Sequence, residues 1–478
     1  MTIACDTHDQ HLDRLREDFD LKHAATRSQP ETPLALRRDR LRRLRTLVQD
    51  NAQALSQAVQ QDFGMRSAAL TEIADLFVLR AMLHQLDSHL AEWMQPRPVA
   101  TPFYLKPAKA YVMRQPLGVV GVMSPWNYPV QLALGPVATA LAAGNRVLLK
   151  PSEHTPATSA LLAKLIHSHF SDEELSVHLG GAAMAQAFAA LPFDHLVFTG
   201  STHTGRLVAQ AAARNLTPTT LELGGKSPCV VDASATLNDA VLKIAHGKLL
   251  NAGQTCIAPD YLLLPKARHE AFEHGMREAV ARLFPGIADN PDYAAIINGA
   301  QLDRLQTAVE EARSRGARIV DIGPGNPGDS ASRQLRPLLA FNVPEDCALM
   351  QEEIFGPILP VLACESPADA IAYINARPRP LALYWFGQDA KAQERILTGT
   401  VSGGVCINDT LMHFAHENLP FGGVGHSGWG AYHSETGFAR LSMEKPVFTQ
   451  SRFNVGEVFY PPYGPKFEQI MAMIKRFV

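Results

Sequence analysis

Between Gly118 and Leu221, short β-branched or apolar runs alternate with helical segments of crossover length, and this alternation restricts the fold more than any other feature of the chain. The expected strands are Val119–Met123, Arg146–Leu149, Leu175–His178, His195–Phe198 and Thr219–Leu221; the expected helices are Val130–Ala143, Pro156–His167, Ala182–Ala190 and Thr202–Ala213. A strand that lies parallel to its predecessor needs a crossover to bring the chain back, so the pattern predicts a doubly wound α/β sheet of the dinucleotide-binding type. At 478 residues the chain outgrows one core. A second alternating α/β region runs from Glu222 to about Asn408, with turn signals at Pro324–Gly328 and Arg377–Pro380.

The flanking pieces read differently. From Leu34 to about Ala58 apolar residues recur at helical spacing, while Arg37, Arg38, Arg40, Arg42, Arg43 and Arg45 crowd between them. Asp39 and Asp50 interrupt that charge, so a solvated face is expected rather than a nucleic-acid or lipid site. Tyr104–Gln115 alternates and contains Pro107, which suits a protruding hairpin or edge strand. Together with a late strand near Glu444–Thr449 it is expected to pair across a subunit interface, giving a homodimer. The tail after Pro461 places Phe467, Ile470, Met471, Ile474 and Phe477 at helical spacing, for docking on the body or on a partner subunit.

Composition narrows the partners. A net charge of -3 with 46% hydrophobic residues gives no pull toward nucleic acid or anionic membrane, and no apolar run reaches transmembrane length. The first residues, with Asp6, His8 and Asp9, lack the layout of a signal peptide. Six cysteines, at positions 5, 229, 256, 347, 364 and 406, show no paired spacing, and neither His413 with His416 nor His426 with His433 has suitable ligands nearby. The expectation is a cytoplasmic protein that acts on a small molecule without a metal.

Three segments carry chemistry. Cys256 lies in Asn251-Ala252-Gly253-Gln254-Thr255-Cys256-Ile257, where a glycine beside small polar residues lets the backbone turn tightly and present a thiol. Alone, a cysteine is more often a small buried hydrophobe. Glu222 ends an apolar run just before Gly224-Gly225, and a half-buried carboxyl there has the raised proton affinity of a general base, although a surface Glu at a strand end reads equally well. In Pro125-Trp126-Asn127-Tyr128-Pro129 the prolines fix a loop from which the Asn127 amide could donate to an oxyanion, beside the Cys256 N–H.

In this order and at these separations, the three motifs resemble those of the aldehyde dehydrogenase superfamily. The likeness runs from about Leu34 to Phe448 and includes Lys150-Pro151-Ser152-Glu153, the run Phe198 to Gly205, Glu352-Glu353-Ile354-Phe355-Gly356-Pro357 and Pro420-Phe421-Gly422-Gly423-Val424-Gly425. The resemblance implies that Cys256 attacks the aldehyde, that Asn127 and the Cys256 N–H hold the oxyanion, that a hydride passes to a nicotinamide, and that Glu222 activates the water that hydrolyses the thioester. It implies that Lys150 and Glu153 meet the adenosine ribose, which favours NAD while leaving NADP possible. Gly200, Ser201, Thr202, His203, Thr204 and Gly205 would open a helix toward the pyrophosphate, and Glu353 and Phe355 would hold the nicotinamide end. Trp126, Ser152, Leu223 and Gly224 complete the implied cofactor set.

The implied domains are residues 1–98 and 116–221 with 418–440 for NAD binding, 222–417 for catalysis, 99–115 and 441–455 for oligomerisation, and 456–478 as a tail. Gly423-Val424-Gly425-His426-Ser427-Gly428 matches a dinucleotide fingerprint by letter but precedes no βαβ unit, so it reads as a loop at the domain junction. The short stretch from Asn127 to Gly135-Pro136 lacks a lysine found in longer family members, which points to the compact class 3 branch. Within it, Gly425 to His433 and Pro461-Pro462-Tyr463-Gly464 resemble the bacterial coniferyl aldehyde dehydrogenase group. That resemblance implies an aromatic aldehyde held beside Tyr128 and the loop from Asn408 to His416, with medium or long-chain aliphatic aldehydes as the alternative.

Three other chemistries stay open on the residues alone. A cofactor-free cysteine hydrolase would need a histidine partner that no motif supplies, and would leave the cofactor segments unexplained. Acyl transfer to coenzyme A makes less use of Glu222 than hydrolysis does. A silent binding protein has no need of an intact Cys256, Glu222 and Asn127.

Overall fold

The computed structural model describes residues 3–288, 290–325, 332–454 and 456–477. The expected turn at Pro324–Gly328 lies partly outside them. Three sheets organise the described residues. The first has six strands in the order Gly428–Trp429, Thr219–Leu223, His195–Gly200, Val119–Met123, Arg146–Lys150 and Leu175–Val177. All are parallel except the two-residue Gly428–Trp429. The five predicted strands and four predicted helices are present, with ends shifted by one or two residues. The chain winds outward in one direction from Val119–Met123 through Arg146–Lys150, then returns to place His195–Gly200 on the other side. That reversal opens a crevice beyond the carboxyl ends of these two central strands, where a doubly wound sheet binds its ligand.

The second sheet has seven strands, from Arg318–Asp321 at one edge to Gly404–Ile407 at the other, with only the first antiparallel. Its buried strands, such as Ala382–Phe386 and Tyr261–Leu264, are apolar throughout because helices cover both faces. Among the described residues no helix is long and apolar enough to cross a membrane.

The third sheet joins the expected hairpin segment and the late strand. Ser442–Thr449 pairs antiparallel with Lys109–Pro116 over eight residue pairs inside one chain, and Arg97–Val99 covers the other side. The helix Ser434–Arg440 delivers the late strand directly opposite Pro116, so the two segments pair within the chain. Among the described residues, no strand pairs with the other edge of Ser442–Thr449.

Two departures from expectation lie near the N-terminus. Ile3–Ser28 is a helix that the sequence reading missed, because its charged residues outnumber the few apolar ones, Leu15 and Phe19 among them, that it buries. Its Lys22 is fully buried, with Nζ 2.6 Å from Asp18 and 2.8 Å from Ser176 Oγ. The arginine-rich stretch, split at Asn51 into Leu34–Asp50 and Ala52–Phe63, is not simply a solvated face. Arg37 and Arg40 are buried. Arg37 donates to the Thr32 and Ala142 carbonyls at 2.7 and 3.2 Å, and Arg40 and Arg43 share Glu174. The helix Gln131–Ala142 ends beneath them, and its unpaired carbonyls attract cationic donors.

Candidate active site

Strand geometry places the carboxylate. Glu222 sits in register with Thr199 on the adjacent parallel strand, so both side chains emerge together at the carboxyl end of the first sheet. The loop that follows Val119–Met123 brings Trp126 and Asn127 to the same crevice. The thiol arrives from the second region. After the helix Leu237–Leu249 the chain takes three successive left-handed residues, with φ of 53° at Asn251, 53° at Ala252 and 76° at Gly253. A side chain at Gly253 would place its Cβ 2.3 Å from the Gly356 carbonyl oxygen, so this turn requires glycine. Gln254 pins the next step by donating to the Asn251 and Ala295 carbonyls and accepting from the Ile297 N–H.

Cys256 therefore reaches the junction of two cavities. One is a cleft of 890 Å³ lined by Trp126, Asn127, the run Gly200 to His203, Gly224, Glu353 and Phe355. The other is an apolar channel of 130 Å³ lined by Tyr128, Leu250, Leu411, Phe414 and Phe421 among others. Its rim includes the exposed Ile73 and Met412, and its floor the buried Tyr432. Among the described residues, only Leu132, Thr199, Glu222 and Cys256 line both. A polar cleft and an apolar channel that meet at a sulfur and a carboxyl can bring two different molecules to one reacting centre.

Burial dominates the electrostatics. It pushes the Cys256 thiol up to about 12, with the negative charges of Glu353 and Glu222 adding to the effect. It also raises the Glu222 carboxyl well above the usual carboxylate range, and neither carboxyl oxygen has a hydrogen-bond partner among the described residues. Burial and the nearby Asp260 lift Glu353 to about 8, against the Gly225 backbone N–H, Lys226 and Arg304. A carboxyl group with high proton affinity beside a thiol that resists ionisation is equipped to take a proton from it, or from water.

The remaining expected residues fall into two groups. Trp126 packs edge-on against Phe355 at 5.3 Å, and Ser201 caps the helix Thr202–Ala213 by accepting from the Thr204 N–H at 3.2 Å. A Cβ at Gly224 would overlap the Glu353 carboxyl at 1.9 Å, so glycine there admits the carboxylate. Gly205 packs on Leu223, which lines the apolar channel. Lys150, Ser152 and Glu153 lie at the carboxyl end of their strand, outside the lining shared with Cys256, with Lys150 Nζ 3.0 Å from Glu153. Tyr128 lines the channel and its hydroxyl lies 2.5 Å from Thr255 Oγ1.

The fingerprint-like glycines form a loop, as expected. Gly428 pairs with Glu222, and a Cβ at Gly422 would lie 3.3 Å from a Glu222 carboxyl oxygen, so this segment roofs the carboxylate. Sequence reasoning missed Arg66 and Asp75, a fully buried ion pair at 2.6 Å beside the Asn127 loop. Neither sits in a recognisable motif, and Asp75 reaches its place from a π-helical turn, Glu72–Phe77.

Comparison with known proteins agrees with this geometry. A profile of the aldehyde dehydrogenase family matches residues 5–447. A probable coniferyl aldehyde dehydrogenase of Pseudomonas aeruginosa is 48% identical, the alignment covering 97% of this chain and 96% of that protein. A coniferyl aldehyde dehydrogenase of a Pseudomonas species is 44% identical, with coverage of 97% and 96%. Among solved structures, Staphylococcus aureus AldH in a substrate-bound state superposes with a TM-score of 0.91 at 37% identity, covering 96% of this chain and 99% of the other.

Proposed function

The chain belongs to the aldehyde dehydrogenase family, and from that premise we propose which residues perform the oxidation of an aldehyde to its acid. Cys256 is the nucleophile, Asn127 and the Cys256 N–H donate to the oxyanion, and Glu222 is the base. The observation that carries this reading is the position of Cys256 and Glu222 where the cleft and the channel meet.

The cleft suits a dinucleotide by its donor set. The helix Thr202–Ala213 presents its amino end there for a pyrophosphate, and the carboxyl of Glu353 stands ready for ribose hydroxyls. Trp126 and Phe355 form an aromatic wall. Glu153 accepts from the adenosine ribose and disfavours an added phosphate there, so NAD is the preferred cofactor over NADP. When bound, it supplies the hydride acceptor. The protein's own residues do the rest. The Cys256 thiol gives up its proton to solvent as the sulfur bonds to the carbonyl carbon, and the Asn127 N–H steadies the oxygen as its charge develops. Once the acyl group is on sulfur, Glu222 draws a proton from water, and Cys256 leaves as the acid forms.

The channel takes an aromatic aldehyde of the coniferaldehyde type, as the names of the relatives suggest. Tyr128, Phe414 and Phe421 give it flat apolar walls. Steady-state assays with NAD should show kcat/KM for a hydroxycinnamaldehyde at least ~10-fold above that for a two- or three-carbon aliphatic aldehyde, since the latter leaves the channel unfilled. The reverse ranking overturns the substrate assignment and leaves the chemistry standing.

The protein acts as a homodimer in the cytoplasm. The edge of Ser442–Thr449 left unpaired among the described residues, with the exposed Met443 and Phe448 on that strand, supports the first point. The free thiols of the five described cysteines support the second.

A further inference from the structure

We propose that Asn251 and Arg66 are positioning residues that clamp the oxyanion-donor loop to the nucleophile loop and so fix the spacing between the Asn127 amide and Cys256. This rests on the reading of Asn127 and Cys256 given above. The Asn127 loop follows a strand of the first sheet and the Cys256 loop leads into a strand of the second, so no strand ladder sets their separation. Side chains do. Asn251 Nδ2 donates to the Asn127 carbonyl at 3.1 Å and to the Gln254 carbonyl at 3.3 Å. Asn127 Nδ2 donates to the same Gln254 carbonyl at 3.2 Å. Arg66 Nη1 donates to the Asn127 carbonyl at 2.7 Å and to Asn251 Oδ1 at 3.3 Å.

The clamp is anchored on its far side. Arg66 Nη2 is 2.6 Å from Asp75, whose other oxygen accepts from the Val130 and Gln131 N–H groups at 3.1 and 3.0 Å. The guanidinium also lies 5.2 Å from the centre of the Tyr128 ring. Arg66 and Asp75 are fully buried, and a pair so deep is costly to desolvate and is a poor source of net stability. Asn251 holds a left-handed conformation that asparagine tolerates better than most residues. Strain and a buried charge pair concentrated on two loops are accounted for by the placement of one donor.

Addition of the thiolate to a carbonyl builds charge on oxygen and depends on that placement. Alkylation of the same sulfur by iodoacetamide forms a C–S bond and expels iodide, with no oxyanion to hold. The test compares Asn251→Ala with the wild-type enzyme in three measurements: the first-turnover burst of NADH, the alkylation rate of Cys256, and KM for NAD. Loosening a donor by about 1 Å costs about 100-fold, so the burst should slow by ~30- to 100-fold. Alkylation and KM should stay within about threefold, because accessibility and the cleft are untouched.

Asn251→Asp keeps the acceptor for Arg66 but loses both N–H donors, and should be as slow as the alanine variant. A burst within threefold of wild type in Asn251→Ala overturns the clamp, and so does an equal fall in burst and alkylation. Arg66→Met should show the same separation between the two rates; if it fails to fold, the asparagine variants decide. An Asn127→Ala arm distinguishes the two levels of the argument. If its burst is unchanged, the oxyanion reading itself falls; if it slows while Asn251→Ala does not, only the clamp does.

Discussion

Cys256→Ala is expected to abolish NADH formation from every aldehyde, by a factor of at least ~10⁴, while leaving NAD binding intact. The size of the effect follows from where the sulfur sits. Water could attack the carbonyl in its place, but it would have to do so without a covalent intermediate and away from the donor geometry built around Asn127. The other described cysteines cannot substitute, since Cys229, Cys347, Cys364 and Cys406 are buried and line neither cavity. Stopped-flow absorbance at the NADH band checks the loss. Dinucleotide fluorescence titration checks that binding survives, because the helix Thr202–Ala213 and Glu353 are untouched.

Glu222→Gln separates the two halves of the reaction. The amide keeps the shape of the side chain but accepts no proton at working pH, so hydrolysis of the thioester slows by ~10²- to 10⁴-fold. One equivalent of NADH should still appear in a first turnover if deacylation has become limiting, and loss of that burst would give Glu222 an earlier part, in deprotonating the thiol. The pH dependence has a definite sign. Burial raises the proton affinity of Glu222, and only the deprotonated form is a base. Wild-type turnover should therefore fall as pH drops and rise as pH increases. The rise should be lost in Glu222→Gln, and a wild-type profile flat from pH 6 to 9 contradicts the assignment.

The first sheet was the most legible part of the chain because its strands are short, apolar and evenly separated by helices, so local periodicity and topology agree. The motif residues were legible because glycine and proline announce tight backbone: Gly253 and Gly224 stand where a side chain would collide with the Gly356 carbonyl or the Glu353 carboxyl. Arg66 and Asp75 were illegible for the opposite reason. A buried ion pair is defined by what surrounds it in space, and neither residue's neighbours in sequence differ from those of an exposed charge. The same holds for Arg37 and Arg40, which read as a solvated face until the carbonyls ending Gln131–Ala142 and the Glu174 carboxyl came to lie beneath them. The strand Ser442–Thr449 was legible from its alternation, but its in-chain partner Lys109–Pro116 was not, since alternation along a strand does not say which strand lies beside it.

Everything turns on acyl transfer to one sulfur at the meeting of cleft and channel. Glu222→Gln, incubated with NAD and a hydroxycinnamaldehyde and then quenched in acid, should yield a single modified peptide on proteolysis and mass spectrometry. That peptide contains Cys256 and is heavier by the mass of the aldehyde less two hydrogens. The same increment on any other residue, or a full burst of NADH with Cys256 unmodified, contradicts the account.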